Sequence, residues 1–404
     1  MFEVGPAKRN KAINLLQSMK TFRKIIFWMH LTAGLSAGVV IFIMCVTGAL
    51  LAFEKNIIEW AESDARNVVV DPRGGDSGAR EILGTVLDAK PRSRPSSIAR
   101  TNDPSAAFAV SLGREGQVFV DPYTTKMVGE SSAGVRSFFR TATDLHRFTA
   151  MSGDIRPIGK AITGASNLIF LFIAISGIYL WMPRNLTWSL IKPVVWFRSG
   201  LRGKARNFIW HNTIGFWTSL FLIVFTLTAT VISYQWASNL IFTLTGNQVP
   251  PPQSGPSSNS SQAEQPFVVP ENLNAIWQTA EDKAPGWKSI SLRLPIEKDA
   301  AVFTVDEGIY WNIFGRSTLT IDIQTAEVTK WEPYGERNSA QQLRTWFRFT
   351  HTGESGGIIG QIIGFIACVG GAFLVLTGFS LAFRRFGKWM KNRSNGDLPD
   401  EAEA

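Results

Sequence analysis

The stretch RKIIFWMHLTAGLSAGVVIFIMCVTGALLAF, residues 23–53, decides the architecture of this chain. After Arg23 and Lys24, everything from Ile25 to Phe53 is uncharged, more than the ~20 residues that carry a helix across a bilayer. His30 lies about a turn and a half inside that run. Gly34, Ala37, Gly38, Ile41 and Cys45 fall on its face at helical steps, with Gly48 further along. The spacing predicts a membrane helix whose histidine face is stripped of bulk.

The pattern returns at residues 206–234. His211, Gly215, Thr218, Ser219, Leu222, Thr226 and Ala229 repeat the offsets, and Thr47 and Thr228 each follow their histidine by 17 residues (47 − 30 and 228 − 211). Of 404 residues, 45% are hydrophobic and only 18% charged, which fits apolar spans diluted by polar domains. The net charge of +9 does not point to nucleic acid, because the basic residues cluster beside apolar runs. Cys45 and Cys368 both fall inside predicted spans, with no CxxC motif and no zinc spacing.

Residues 1–24 are basic, with Lys8, Arg9, Lys11 and Lys20, and lead into a first span, 25–53. That run is too long for a signal peptide and has no small-residue cleavage site. Residues 54–145 read as a soluble domain. A helix at 77–90 carries Ile82, Leu83, Val86 and Leu87 on one side; strands follow at 96–100, 106–112 and 117–121, then a turn at Asp121-Pro122-Tyr123-Thr124. Around His146, Arg136, Arg140, Arg147 and Arg156 alternate with Phe138, Phe139, Leu145 and Phe148, as in an interfacial lead-in. Lead-in and second span make up 146–182. The connector 183–207 holds Arg184, Lys192, Arg198, Arg202, Lys204 and Arg206 and no acidic residue.

A third span, 208–236, is followed by segment 237–350, which opens on a Pro/Ser/Gln-rich linker at 248–265. It then repeats the first soluble domain, with a helix at 271–282, strands at 287–294, 301–305 and 318–322, and a turn at Ile323-Gln324-Thr325. Arg344 and Arg348 stand in a second basic-aromatic lead-in before His351. The fourth span is 351–383, and 384–404 carries Arg384, Arg385, Lys388, Lys391 and Arg393 ahead of an acidic tail.

With four spans, all the basic flanks share one side, and the positive-inside rule makes it the cytoplasm. The expected location is the bacterial inner membrane, with both termini cytoplasmic and both soluble domains periplasmic. His30 and His211 then lie near the cytoplasmic ends of spans one and three, and His146 and His351 at the outer face. A six-coordinate haem iron takes one neutral imidazole from each side. The expected metal ligands are therefore His30 with His211 and His146 with His351. A flat macrocycle needs small faces such as those at Gly34, Gly38, Gly215 and Ser219, although small residues also serve close helix packing. Arg140, Arg147, Arg344 and Arg348 match haem propionates, or act as interfacial anchors or bind lipid headgroups. There is no P-loop and no GxGxxG after a strand. The cytoplasmic pieces are too short to fold a flavin or nicotinamide domain, so any soluble electron donor is another molecule.

These residues resemble the PepSY-associated transmembrane proteins and, within them, the FoxB-like inner-membrane reductases of bacterial siderophore uptake. The resemblance rests on Met29-His30-x3-Gly34 with Thr47-Gly48, His211-x3-Gly215, Leu145-His146, Ser176-Gly177-Ile-Tyr-Leu-Trp181 and Thr377-Gly378-Phe-Ser-Leu381. It rests also on the strand and turn Val118-Phe-Val-Asp121-Pro-Tyr-Thr-Thr. Two departures stand out: Thr125 and Ala326 replace a turn glycine, and Ala229 stands where the first copy has Gly48. The resemblance implies two b haems in a four-helix bundle, carrying electrons outward to ferric siderophores.

The expected fold class is an α-helical membrane protein, a four-helix bundle with two periplasmic α+β PepSY-like domains, internally duplicated. The expected function is that of a dihaem b-type oxidoreductase with two bis-histidine haems. Its partners would be the lipid bilayer, a ferric siderophore, and an electron donor that is a flavin, a quinol or a reductase, with no nucleic acid. Two alternatives stay open. One is a non-enzymatic PepSY protein that binds a periplasmic partner and needs no haem; the other is a haem subunit of a larger redox complex.

Overall fold

A computed structural model of the chain describes residues 6–72, 75–183, 187–251, 267–296, 299–308 and 314–395, with side chains from residue 19 onward, those of 114 and 193 excepted. Most of the 248–265 linker, Arg184, the acidic tail and the side chains of Lys8, Arg9 and Lys11 lie outside the described residues. The helices are α1 (Pro6–Leu51), α2 (Glu54–Ala61), α3 (Ser63–Arg66), α4 (Ala79–Ala89), α5 (Ala133–Phe148), α6 (Arg156–Trp181), α7 (Trp188–Val195), α8 (Gly203–Ser233), α9 (Gln235–Leu244), α10 (Leu273–Lys283), α11 (Ser339–His351) and α12 (Gly357–Ser394). The strands are β1 (Ser97–Thr101), β2 (Phe108–Ser111), β3 (Gln117–Val120), β4 (Met127–Glu130), β5 (Ser289–Arg293), β6 (Ala300–Asp306), β7 (Ser317–Asp322) and β8 (Val328–Glu332). The chain divides into two compact units, one of Met1–Ala52, Thr141–Ala237 and Thr350–Ala404, the other of Phe53–Arg140 and Ser238–Phe349.

The first unit is the membrane bundle. Among the described residues, four helical segments are long and apolar enough to cross a bilayer: Met19–Leu51, Gly153–Trp181, Gly203–Ser233 and Glu354–Ser394. They are called spans 1 to 4. Span 1 packs against spans 2 and 4, and span 3 against the same two, so spans 1 and 3 stand at opposite corners. Between them Ala37, Ile41, Cys45, Phe170, Leu222 and Ala367 form a buried core. Glycines permit the close approach. A Cβ on Gly371 would lie 2.7 Å from Cys45 Sγ, and one on Gly370 would overlap Thr218.

The helices overrun their predicted ends. Helix α12 continues to Ser394, past the expected stop at residue 383, because Arg384, Arg385 and Lys388 are good helix formers and no Pro intervenes. The basic flanks gather at one end of the bundle. Arg23 donates to the carbonyls of Leu180 and Met182, Asn207 Nδ2 donates to Ser380 Oγ at 2.7 Å, and the Arg385 guanidinium sits 5.0 Å from the Phe27 ring.

The second unit corrects the expectation of two separate domains. The halves supply two four-stranded meanders that join into one antiparallel sheet, in the order β4-β3-β2-β1-β5-β6-β7-β8. The seam is the pairing of β1 with β5, from Ser97 opposite Arg293 to Thr101 opposite Ser289. Two short sheets would each leave an unpaired edge there, and pairing the edges removes both. Strands β4 and β8 are missing from the sequence reading. Strand β4 alternates only between half-buried and exposed, and Val328 to Glu332 are almost wholly exposed, so neither has a buried apolar face to signal it. One core covers both halves, with Ile82, Leu83 and Val86 of α4 and Leu273, Ile276 and Trp277 of α10 packed on inward strand residues such as Ile98, Phe108 and Phe303.

The two replaced turn glycines keep a glycine-like backbone, since Thr125 has φ 53° and Ala326 φ 56°. In each turn an aspartate holds the chain. Asp121 Oδ1 accepts from the Tyr123 amide and Asp322 Oδ1 from the Gln324 amide, both at 2.8 Å.

Candidate functional site

All four histidines of the chain fall inside the membrane unit, and each is held the same way. His30 Nδ1 on span 1 lies 2.9 Å from Ser176 Oγ on span 2, and His211 Nδ1 on span 3 lies 2.9 Å from Thr377 Oγ1 on span 4. His146, at the end of α5, has Nδ1 2.9 Å from Thr47 Oγ1 on span 1. His351, at the end of α11, has Nδ1 3.4 Å from Thr228 Oγ1 and 3.0 Å from the Phe225 carbonyl, both on span 3.

The hydrogen bonds set the tautomer. Thr47 donates its hydroxyl proton to the Ile43 carbonyl at 2.7 Å, Thr377 to Phe373 at 2.7 Å, and Ser176 to Ile173 at 3.2 Å. With that proton committed, each hydroxyl oxygen must accept, so the imidazole Nδ1 carries hydrogen. The carbonyls of Met44, Leu374 and Phe225 also accept from His146, His211 and His351. Every ring is thereby left with a free Nε2 lone pair, the atom a metal ligand needs, and with the outer hydrogen bond that orients such a ligand.

His146 and His351 face one another with ring centroids 6.3 Å apart. Two imidazoles across one metal, with metal–nitrogen bonds of ~2.0 Å and about 1.1 Å from nitrogen to ring centre, place their centroids roughly 6 Å apart. His30 and His211 lie within charge–charge range of each other on opposite corners of the bundle. Among the described residues no group of three or more His, Cys, Asp or Glu side chains is placed to hold a metal ion. Two imidazoles per layer is a ligand set for a metal whose other positions a macrocycle fills.

The outer pair is deeper than expected. It sits at the level of Thr47 and Thr228, each 17 residues beyond the inner histidine on its own helix, so the layers are roughly 25 Å apart at 1.5 Å per residue. Tight turns bring α5 and α11 back into the bundle. Thr149 and Ala150 take φ of 49° and 59°, and Thr163 Oγ1 donates to the Arg147 carbonyl at 2.8 Å. Gly159 leaves room for the Phe148 carbonyl, and Gly360 for that of Gly353.

A family model for the PepSY-associated TM region matches residues 27–385. The chain belongs to that family. No curated protein matches it.

The resemblance motifs of this PepSY-associated protein now have a physical content. Ser176-Gly177, Thr377-Gly378 and Thr47-Gly48 are one device used three times, a hydroxyl that orients a histidine followed by a glycine beneath its ring, and Thr228 turns its hydroxyl toward His351 in the same way. A Cβ on Gly177 would stand 3.4 Å from His30 Cε1, one on Gly378 3.6 Å from His211 Cε1, and one on Gly48 3.3 Å from His146 Cε1. The sequence reading used these dipeptides as motifs and missed their pairing with histidines. The signal in the sequence was partial: Thr47-Gly48 and Thr228-Ala229 follow His30 and His211 at the same offset in the two copies of the repeat.

The other predicted site residues divide. Gly34 has open space where a side chain would be, whereas the place beside Gly38 is filled by the Phe379 ring of span 4. Gly215 is in ordinary contact range of Leu374, and Ser219 Oγ donates to its own helix at Phe216. Arg147, exposed, has its guanidinium 5.2 Å from the Phe148 ring, and Arg140 is also exposed. Arg344 lies over Phe242 and Arg348 over Phe349, at 5.9 and 5.8 Å, and both are exposed. Among the described residues none of the four arginines is in an ion pair.

Proposed function

We propose that this PepSY-associated membrane protein is a dihaem electron-transfer protein with a FoxB-like role, an oxidoreductase of the inner membrane that reduces ferric siderophores on the periplasmic side. The observation that carries the reading is the common setting of the four histidines, each with Nδ1 hydrogen-bonded to a hydroxyl or carbonyl of a span, His146 facing His351 and His30 within charge–charge range of His211. His30 and His211 would hold one b haem and His146 and His351 the other; bound haem supplies reversible one-electron chemistry at iron.

The chain's own residues do the rest. Ser176, Thr377, Thr47 and the Phe225 carbonyl keep the ligand tautomer and orientation. The apolar core of Ile41, Phe170 and Leu222 keeps water out of the space between layers. Arg147, which lies in the membrane unit and has no carboxylate partner among the described residues, would take a propionate. The gathering of basic flanks at one end supports a cytoplasmic assignment for that end, and the alternation of four spans then assigns segments 54–145 and 237–350 to the periplasm. The donor would be a flavin, a quinol or a reductase. A pyridine haemochrome assay with a protein determination tests the reading: two haems b per chain and low-spin bands are expected, and a colourless, folded preparation from haem-replete cells would end it.

A further inference from the structure

The connector between spans 2 and 3 carries a second site, independent of the histidines. Helix α7 packs along span 3, with Val195 buried. The carbonyls at its C-terminal end, which a lone helix would leave unpaired, are taken by side chains of both neighbouring spans. Trp181 Nε1 donates to Val194 O at 3.4 Å, Trp217 Nε1 to Val195 O at 3.0 Å, and Thr213 Oγ1 to Trp196 O at 3.4 Å. Trp196 stacks on Trp217 with centroids 6.3 Å apart. The connector is therefore built in place.

What it presents outward is unlike a soluble loop. Trp188 is 67% exposed, Trp196 56% and Phe197 59%. Ser189, Lys192, Trp196, Phe197 and Arg198 line a cavity of about 360 Å³. Residues 183–207 contain no carboxylate, and among the described residues neither Lys192 nor Arg198 is in an ion pair. Unpaired cations around a cavity favour an anion, and phosphate oxygens suit both lysine and arginine. Exposed indole and phenyl rings beside membrane spans favour acyl chains, and amphipathic aromatic rings settle at the headgroup level.

We propose that this cavity seats the phosphate of an anionic phospholipid, with Lys192 and Arg198 on the headgroup and Trp196 and Phe197 against the chains. A soluble phosphate compound would satisfy the cations and leave the rings in water; a zwitterionic lipid would satisfy the rings and return positive charge to the cations.

Native mass spectrometry of the full-length protein, released from micelles with phosphatidylglycerol or phosphatidylcholine, tests this. Phosphatidylglycerol should be retained in preference. With each basic contact at a membrane surface worth about fivefold, Lys192→Gln with Arg198→Gln should lower its retention roughly 25-fold, while phosphatidylcholine changes little. Trp196→Ser with Phe197→Ser should weaken both lipids. The wild-type protein supplies a check free of variants, since brominated phosphatidylglycerol should quench tryptophan emission more than brominated phosphatidylcholine. Equal retention of the two lipids, an unchanged double variant, or displacement of phosphatidylglycerol by millimolar inorganic phosphate would overturn the proposal.

Discussion

The two halves of the chain share an order of span, short helix, helix, four-stranded meander, helix and span, with α3 and α7 found in the first half alone among the described residues, yet they fasten their parts with different chemistry. In the first half, the residue after α2 is Glu62, a buried carboxylate that receives Arg136 of α5 (2.8 Å from Arg136 Nη2) and Arg66 (2.7 Å from Arg66 Nη2), with the Ser132 amide at 3.1 Å. In the second half, the neutral amide of Asn247 after α9 donates to Ser339 Oγ at the start of α11, at 2.9 Å, and to Thr245 of its own turn. In the bundle, spans 2 and 3 are joined by Asn167, whose Nδ2 donates to Thr226 O and Thr230 Oγ1, both at 3.0 Å. Spans 1 and 4 use size instead: Cys45 fills the place left by Gly371, and Cys368 that left by Gly48. Element order does not depend on these fastenings because it follows the pattern of apolar residues. The fastening at one contact is free to change so long as each buried polar group keeps a partner.

The largest expected effect crosses the halves. On the proposed dihaem reading, His30→Ala and His211→Ala should each remove or convert the inner haem and leave the outer one low-spin, with His146→Ala and His351→Ala doing the reverse, read by reduced-minus-oxidised spectra. If His30→Ala and His351→Ala disturbed one and the same haem, the assignment of layers would fall.

The next contrast is between Glu62 and Asn247. Desolvation by burial pushes the Glu62 carboxyl up, but hydrogen bonds and charge from Arg136 and Arg66 outweigh it and hold the group below the ordinary carboxylate value. A depressed folded-state pKa means the stabilisation is present above the unfolded value near 4.5 and is lost as pH falls through the folded one. Glu62→Leu should cost about 3 kcal/mol, toward the low end for breaking a buried pair because both arginines are partly exposed, and should flatten the acid limb of stability. Asn247→Leu should cost no more than ~1 kcal/mol. Hydrogen exchange in strands β1–β4 against β5–β8 measures both, and equal losses would show that the ion cluster adds nothing to the neutral contact.

A finer contrast concerns the outer histidines. A methyl on Gly48 would press on His146 at 3.3 Å. Ala229 carries that methyl in the other half, where His351 stands back to 3.4 Å from Thr228 and relies on the Phe225 carbonyl. Thr47→Val should therefore weaken outer-haem retention roughly 10- to 100-fold, and Thr228→Val far less. Gly48→Ala should make the two ligands alike, seen as a narrower spread of low-spin electron paramagnetic resonance signals. Identical effects of the two threonine variants would remove the asymmetry.

The smallest effect lies in the turns. Thr125→Gly and Ala326→Gly relieve left-handed backbone costing about 1 kcal/mol each, less the entropy glycine adds to the unfolded chain. Each should change thermal stability by a degree or two at most, in the same direction in both halves.

By itself the sequence determined the four spans, the two soluble segments and the ligand candidates. Uncharged runs well past ~20 residues match the width of a bilayer, and a histidine inside one stands out against that background. It also contained the hydroxyl-small dipeptides, but a contact between residues 47 and 146 or between 176 and 30 has no local period to reveal it. Only the tertiary structure decided that the two meanders share one sheet, since strand edges look the same in sequence whether they meet water or each other. Packing likewise set the depth of the outer histidines, through the glycines at 159 and 360 that let the turns lie against their helices. The tautomers were settled there too, because a hydroxyl's proton is committed only once its own helix has formed and the neighbouring ring has come within 2.9 Å of it.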